Sequence, residues 1–154
     1  MEQTETSVGS AEPRISVTIE RPPEQVFAAL TNVPSHTDWA RGPEEISDIS
    51  DDPVRPGTTW QQVQKLLGRK LISRIQVDVY KANRRFGFGS DKPFPLQLLF
   101  TLTPVPGGTE LRMLASGEPA NIFGKVALPI LTRSVERQME SDLYALKAIL
   151  EGEG

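Results

Sequence analysis

The fold of this chain is decided by residues 128–151, LPILTRSVERQMESDLYALKAILE. Apolar residues recur there at every third or fourth position, which places them along one side of a single long helix: Leu128, Leu131, Val135, Met139, Leu143, Leu146 and Leu150. A helix with one apolar side needs a surface to cover it, and the preceding segment is rich in strands. The order predicts a long C-terminal helix across a curved sheet, an arrangement that often encloses a cavity.

Alternating apolar and polar residues predict the strands of that sheet. The first strand begins at Arg14, and two short helices follow it, one after Pro23 and one near Trp39. Turn residues then recur at hairpin intervals as far as Gly117, which indicates consecutive antiparallel strands. The predicted inward rows are Leu71, Ser73, Ile75, Val77 and Val79; Phe86 and Phe88; Leu96, Leu98, Phe100 and Leu102; and Leu111, Met113 and Ala115. The strand containing Trp60 is polar on both faces, so its inward face stays unassigned.

The predicted fold class is α+β: a curved antiparallel sheet of six or seven strands wrapped around a long C-terminal helix. The length of 154 residues suits a single domain. Residues 1–13 are predicted to form a disordered tail, because they begin with a polar, acidic run, and residues 14–151 to form the domain.

Composition excludes several kinds of chemistry. The chain has no cysteine and one histidine, so thiolate catalysis, disulfides, iron–sulfur clusters and a two-histidine iron site cannot be built. The adjacent carboxylates at Glu44 and Glu45, and at Asp51 and Asp52, lack the alternating spacing of a calcium loop. No metal and no cofactor are expected. A formal charge of -3 does not favour nucleic acid, and without a signal peptide or an apolar membrane span the expected location is the cytoplasm.

Several stretches resemble the START-like, or SRPBCC, superfamily and its helix-grip fold. They are ISVTIERPPEQVFAAL at 15–30, Trp39, PGTTW at 56–60, RRFGF at 84–88, TPVPGGTEL at 103–111 and LYALKAILE at 143–151. The resemblance covers residues 14–151 and is strongest to the polyketide cyclase/dehydrase-like branch. It implies an apolar cavity between the sheet and the long helix.

With that cavity, the first hypothesis is the binding or transport of a hydrophobic small molecule such as a lipid, an isoprenoid or a polyketide-like compound. Gly124 and Pro129 are expected to weaken the start of the helix, predicted near Ala120, where an entrance would open. The expected ligand-binding residues are Trp39, Trp60, Ser73, Ile75, Val77, Phe86, Phe88, Leu98, Phe100, Met113, Ala115, Phe123, Ala127 and Leu131.

Two alternatives remain open. One is a cyclase or dehydratase-type enzyme in which Asp91, Glu118 or Tyr80 moves a proton, although Tyr80 has the parity of the outward face. Catalytic residues are otherwise unassigned. The other alternative is a protein-interaction module that uses the loop around Phe94 or the outer face of the sheet near Ile72 and Leu99.

Overall fold

The structure, a computed structural model, describes residues 12–66, 68–92, 95–117 and 128–152. Within these ranges the chain forms seven strands, two short helices after the first strand and a long C-terminal helix, as the sequence predicts. The elements are β1 Arg14–Ile19, α1 Pro23–Thr31, a 3-10 turn Val33–Ser35, α2 His36–Trp39, β2 Pro43–Ser47, β3 Thr59–Leu66, β4 Arg69–Lys81, β5 Arg85–Ser90, β6 Leu96–Val105, β7 Gly108–Gly117 and α3 Leu128–Gly152.

The strands form one curved antiparallel sheet in the order β1-β7-β6-β5-β4-β3-β2. Strands β3 to β7 follow each other through hairpins, whereas β1 crosses over to pair with β7. β1 and β2 are therefore the two edges. No helix among the described residues is long and apolar enough to cross a membrane.

The inner face of the sheet carries the core, and most of the predicted inward rows are confirmed. Ile75, Phe88, Phe100, Leu111 and Met113 are all buried. The helix α1 adds Val26, Phe27 and Leu30, which share one side of a helix that starts at Pro23. The fold is thus the helix-grip arrangement expected from the sequence.

Strand β3 turns Trp60, Gln62 and Gln64 toward the inner face, where all three are buried. The alternation of residues in the sequence does not show which face of β3 is inward, because the opposite row, which includes Gln61 and Val63, is almost equally polar. The pairing of β3 with β4 identifies the inward face, because Trp60 lies opposite the buried Ile75 on β4. The inner face is therefore less apolar than the sequence indicates.

Two expectations for the end of β4 are wrong: Tyr80 does not face outward, and Val79 does not face inward, since it pairs with Gly87 on the outer face. The register between β4 and β5 shifts between Val77 and Val79, and such an irregularity reverses the parity of the residues beyond it. Tyr80 consequently packs edge-on against Phe27, with ring centroids 5.4 Å apart, and against Phe86 at 6.3 Å.

Helix α3 lies closest to β1 and α2. Its buried side chains include Met139, Asp142, Leu143 and Leu146, which share one side of the helix. The predicted start near Ala120 lies outside the described residues, as does Gly124. Pro129 lies in the first turn of the helix that the structure describes.

Side chains of α3 also bind the free edge of β1. Glu136 accepts a hydrogen bond from the Arg14 backbone N–H at 3.2 Å, and Glu151 accepts one from the Glu20 N–H at 2.7 Å. Between them, Lys147 Nζ donates to the Thr18 carbonyl at 2.6 Å. Three backbone groups that face away from β7 therefore find partners on the helix.

Candidate functional site

Six rings pack together on the inner face of the sheet and form what we call the aromatic cluster: His36, Trp39, Trp60, Phe86, Phe88 and Phe100. Phe88 lies at the centre. Its ring centroid is 5.2 Å from that of Trp60, 5.5 Å from Phe86 and 6.3 Å from Phe100. The short helix α2 supplies His36 and Trp39 and thereby covers part of the sheet face.

His36 is held neutral within this cluster. It is 3% exposed, and burial lowers its pKa to about 4 although a hydrogen bond to the Leu30 carbonyl opposes that shift. Because a carbonyl only accepts, Nε2 carries the proton and donates to Leu30 O at 2.7 Å. The ring also stacks on Phe88, with centroids 5.9 Å apart and planes at 26°. His36 is thus a packed ring that links α2 to the end of α1.

Next to the cluster, β3 and β4 place three polar side chains on the inner face, which we call the polar strip: Gln62, Gln64 and Ser73. Trp60 Nε1 donates to Gln62 Oε1 at 3.0 Å, and Gln62 Nε2 donates to Gln64 Oε1 at 2.6 Å. Ser73 lies directly opposite Gln62 on β4. A chain of hydrogen bonds therefore runs from the aromatic cluster along β3.

Asp142 is the buried carboxyl group of α3, with 4% of its surface exposed. Desolvation raises its pKa to about 6, while a hydrogen bond from the Arg41 backbone N–H, 3.2 Å long, and the charge of Arg41 oppose the shift. The carboxyl group thus joins α3 to the segment that follows α2.

The structure brings together most of the side chains that the sequence predicts as ligand-binding. Leu98 is half-buried. Ten others are buried beside it: Trp39, Trp60, Ser73, Ile75, Val77, Phe86, Phe88, Phe100, Met113 and Ala115. Val77, Phe88, Leu98 and Ala115 form one continuous row across four strands. Phe123 and Ala127 lie outside the described residues, as does the side chain of Leu131. Ligand contact remains a prediction for all of them.

Sequence reasoning missed Gln62, Gln64, His36 and Asp142 as inner residues. The helical spacing of Asp142 with Met139 and Leu146 is a signal that would have placed it on the buried side. No comparable signal exists for the two glutamines, because the pairing of β3 with β4 sets their face.

The predicted catalytic residues are not brought together on the inner face. Asp91 lines a groove of about 260 Å³ on the outer face, together with Arg74, Asp78 and Gln97. Gln97 Nε2 donates to Asp78 Oδ1 at 2.7 Å across this groove. Tyr80 packs between aromatic rings, and Glu118 lies outside the described residues. Among the residues the structure describes, no group of three or more His, Asp or Glu side chains is placed to hold a metal ion.

A family model described as "Polyketide cyclase / dehydrase and lipid transport" matches residues 11–151. The chain belongs to this family. The match spans nearly the whole chain and agrees with the START-like resemblance of its sequence. No curated protein matches the sequence.

Solved structures share the family fold at low sequence identity. A START superfamily protein from Mycobacterium smegmatis is 14% identical, with a TM-score of 0.76, over 93% of this chain and 99% of that one. TTHA0849 from Thermus thermophilus is 16% identical, with a TM-score of 0.73, over the same shares of the two chains. DynU16, from the dynemicin biosynthetic locus, is 20% identical, with a TM-score of 0.66, over 92% of this chain and 47% of its own. At such identities the likeness shows the fold.

Proposed function

We propose that this domain binds an apolar small molecule against the inner face of its sheet. The observation that carries the proposal is the continuous apolar row of Val77, Phe88, Leu98 and Ala115, with the aromatic cluster along one side. The family description includes lipid transport, which supports the same class of ligand.

The position of the helices supports the proposal. α2 covers the aromatic cluster, and α3 lies closest to β1 and α2 rather than to the strands in the middle of the sheet. A ligand that moves from water to such an apolar site gains about 25 cal/mol per Å² of apolar area that leaves water. Several hundred Å² of contact therefore offset the loss of translational and rotational freedom.

The proposal is tested by placing a large side chain in the row. Ala115→Trp adds a large side chain next to Leu98, and we expect it to weaken binding of the uncharged fluorescent probe N-phenyl-1-naphthylamine by about tenfold or more, the loss of about 1.4 kcal/mol or more. Titration by fluorescence measures the affinity, and native mass spectrometry of the purified protein shows whether an apolar molecule is already bound.

The matched control is Arg112→Trp, which places the same ring on the outer face of the same strand. This variant should keep the affinity of the wild type. Circular dichroism establishes that both variants are folded, since an added ring in a packed core costs about 1–3 kcal/mol. Equal binding by folded Ala115→Trp would contradict the proposed pocket, and so would a wild-type protein that binds no apolar probe.

A second candidate is an enzyme of the cyclase or dehydratase type, favoured by the raised pKa of Asp142 and by the family description. A buried carboxyl group with a pKa of about 6 is suited to proton transfer near neutral pH. If Asp142 moves a proton, turnover of a polyketone substrate follows one ionisation near pH 6 and is abolished by Asp142→Asn. Activity retained in that variant would contradict a role for Asp142 in proton transfer, whereas a wild type without turnover would leave binding as the function.

A further inference from the structure

The direction of the hydrogen bonds in the polar strip is fixed by Trp60. An indole N–H only donates, so the atom of Gln62 that faces it is the oxygen, and Gln62 must present its NH₂ group to Gln64. Gln64 therefore accepts through Oε1 and is left with its own NH₂ group at the end of the chain. The terminal group of the strip is a donor.

That donor lacks a partner among the described residues. Gln64 is 8% exposed, and the one hydrogen bond of its side chain to another described residue is the bond that Oε1 accepts. The inner face holds a second unpaired donor, Trp39 Nε1, which is buried without a hydrogen bond. A buried donor that stays unpaired is destabilising, so Trp39 Nε1 favours a ligand that brings an acceptor. The terminal NH₂ group of Gln64 can donate to such an acceptor as well.

The charges on the inner face restrict that acceptor. No lysine or arginine of the described residues is buried, and His36 is neutral because its pKa is about 4. The charged group buried on that side of the molecule is the carboxyl of Asp142. A ligand carboxylate would lose its hydration without gaining a cation, which is costly, whereas a carbonyl, ether or hydroxyl oxygen is satisfied by an amide donor.

We infer that Gln64 is a specificity-determining residue whose amide NH₂ group binds an uncharged oxygen acceptor on an otherwise apolar ligand. Ser73, which is buried on the neighbouring strand opposite Gln62, is placed to contribute a hydroxyl to the same subsite. This inference rests on the proposed function and narrows the ligand class from hydrocarbons in general to apolar ketones, ethers and alcohols.

The experiment compares a ketone with its parent alkane. 2-Undecanone and undecane each displace N-phenyl-1-naphthylamine from the wild type, from Gln64→Met and from Gln61→Met. Methionine keeps the length of the side chain and removes the donor. Gln61 is the matched control, because it is an exposed glutamine on the opposite face of the same strand. The readout is the ratio of the two affinities, compared between the proteins, because the difference in hydrophobicity of the two ligands is the same in each and cancels in that comparison.

Gln64→Met should lower the preference for the ketone by about threefold to tenfold, the worth of one hydrogen bond, and Gln61→Met should leave it unchanged. An equal ratio in wild type and Gln64→Met would overturn the inference while leaving apolar binding intact. Failure of the wild type to bind the probe, the ketone and the alkane would overturn the proposed function together with the inference.

A second measurement needs no variant. Infrared difference spectra of 2-undecanone bound to the wild type should show the carbonyl band at lower wavenumber than in hexane, because a hydrogen bond weakens the C=O bond. An unshifted band in the bound ketone would overturn the inference even if Gln64→Met does not fold.

Discussion

The aromatic cluster and the polar strip share one face of one sheet, yet they are built in different ways. The cluster joins residues from α2, β3, β5 and β6 through ring contacts, with centroids 5.2 to 6.4 Å apart. The strip consists of two hydrogen-bonded glutamines on β3 and of Ser73 on the neighbouring strand β4. Trp60 connects the two, because its ring packs on Phe88 and its N–H donates to Gln62.

The difference shows how one surface can divide two tasks. Ring packing buries much apolar area and contributes most to stability, whereas the strip contributes little area and leaves a donor unpaired. Residues that stabilise the fold and residues that select the ligand are therefore separable by substitution. Three measurements test that separation, in order of expected effect.

Removing the central ring should cost the most. Phe88→Ala deletes a side chain that is 6% exposed and contacts four other rings, so we expect the free energy of unfolding to fall by about 3–5 kcal/mol. Urea denaturation followed by tryptophan fluorescence measures it. As a control, Ile72→Ala removes a side chain that is 67% exposed on the outer face, and the change should stay within about 0.5 kcal/mol. Similar losses in the two variants would contradict the central place of the cluster.

Acid should act next, through His36. The unfolded chain takes up a proton below the ordinary pKa of 6.5, whereas the folded chain resists it down to about pH 4. Stability that His36 provides above pH 6.5 is therefore lost as the pH falls toward 4, by about 2–3 kcal/mol. His36→Gln, whose amide keeps a donor near Leu30, should lack this loss when unfolding is measured at pH 7, 5.5 and 4.5.

Asp142 provides the opposite control in the same pH range. Its pKa is raised from 3.8 to about 6, so the folded state binds its proton more tightly and gains stability as the pH falls from 6 toward 4. Asp142→Asn should remove that gain, and its stability relative to wild type should be greatest above pH 6.

The same pH slope in wild type and His36→Gln would show that the aromatic cluster accommodates a charged ring.

The smallest effect should come from the polar strip. Gln62→Met leaves two groups without their partner, the Trp60 N–H and the Gln64 oxygen, and should cost about 1–3 kcal/mol. Gln64→Met leaves only the Gln62 NH₂ group unpaired and should cost less, about 1 kcal/mol. Urea denaturation of both variants compares them. A larger loss for Gln64→Met would mean that Gln64 stabilises the fold instead of serving the ligand.

Much of the fold could be predicted from the sequence because it depends on local patterns. The spacing of apolar residues in α3, and the alternation in β6 and β7, follow from the periods of helices and strands. The comparable polarity of the two faces of β3 left no such signal, and only pairing with β4 shows that Gln62 and Gln64 lie inside. The register shift beyond Val77, which turns Tyr80 inward, is likewise a property of two strands together.

The candidate site was predictable in its apolar part for the same reason. Phe88 and Ala115 follow strand alternation, whereas His36 and Trp39 depend on how α2 packs against the sheet. Polar groups inside a fold are set by tertiary contacts, and these are the groups that distinguish one ligand from another.

The side chains of Glu136, Lys147 and Glu151 that bind β1 also affect how the protein behaves in a crowded solution. An uncovered strand edge is a template on which another chain adds a strand, which leads to aggregation. Here the backbone N–H groups of Arg14 and Glu20 and the carbonyl of Thr18 are already occupied by the helix. The opposite edge, β2, is five residues long and irregular at Pro43. Open-ended strand addition is therefore disfavoured at both ends of the sheet.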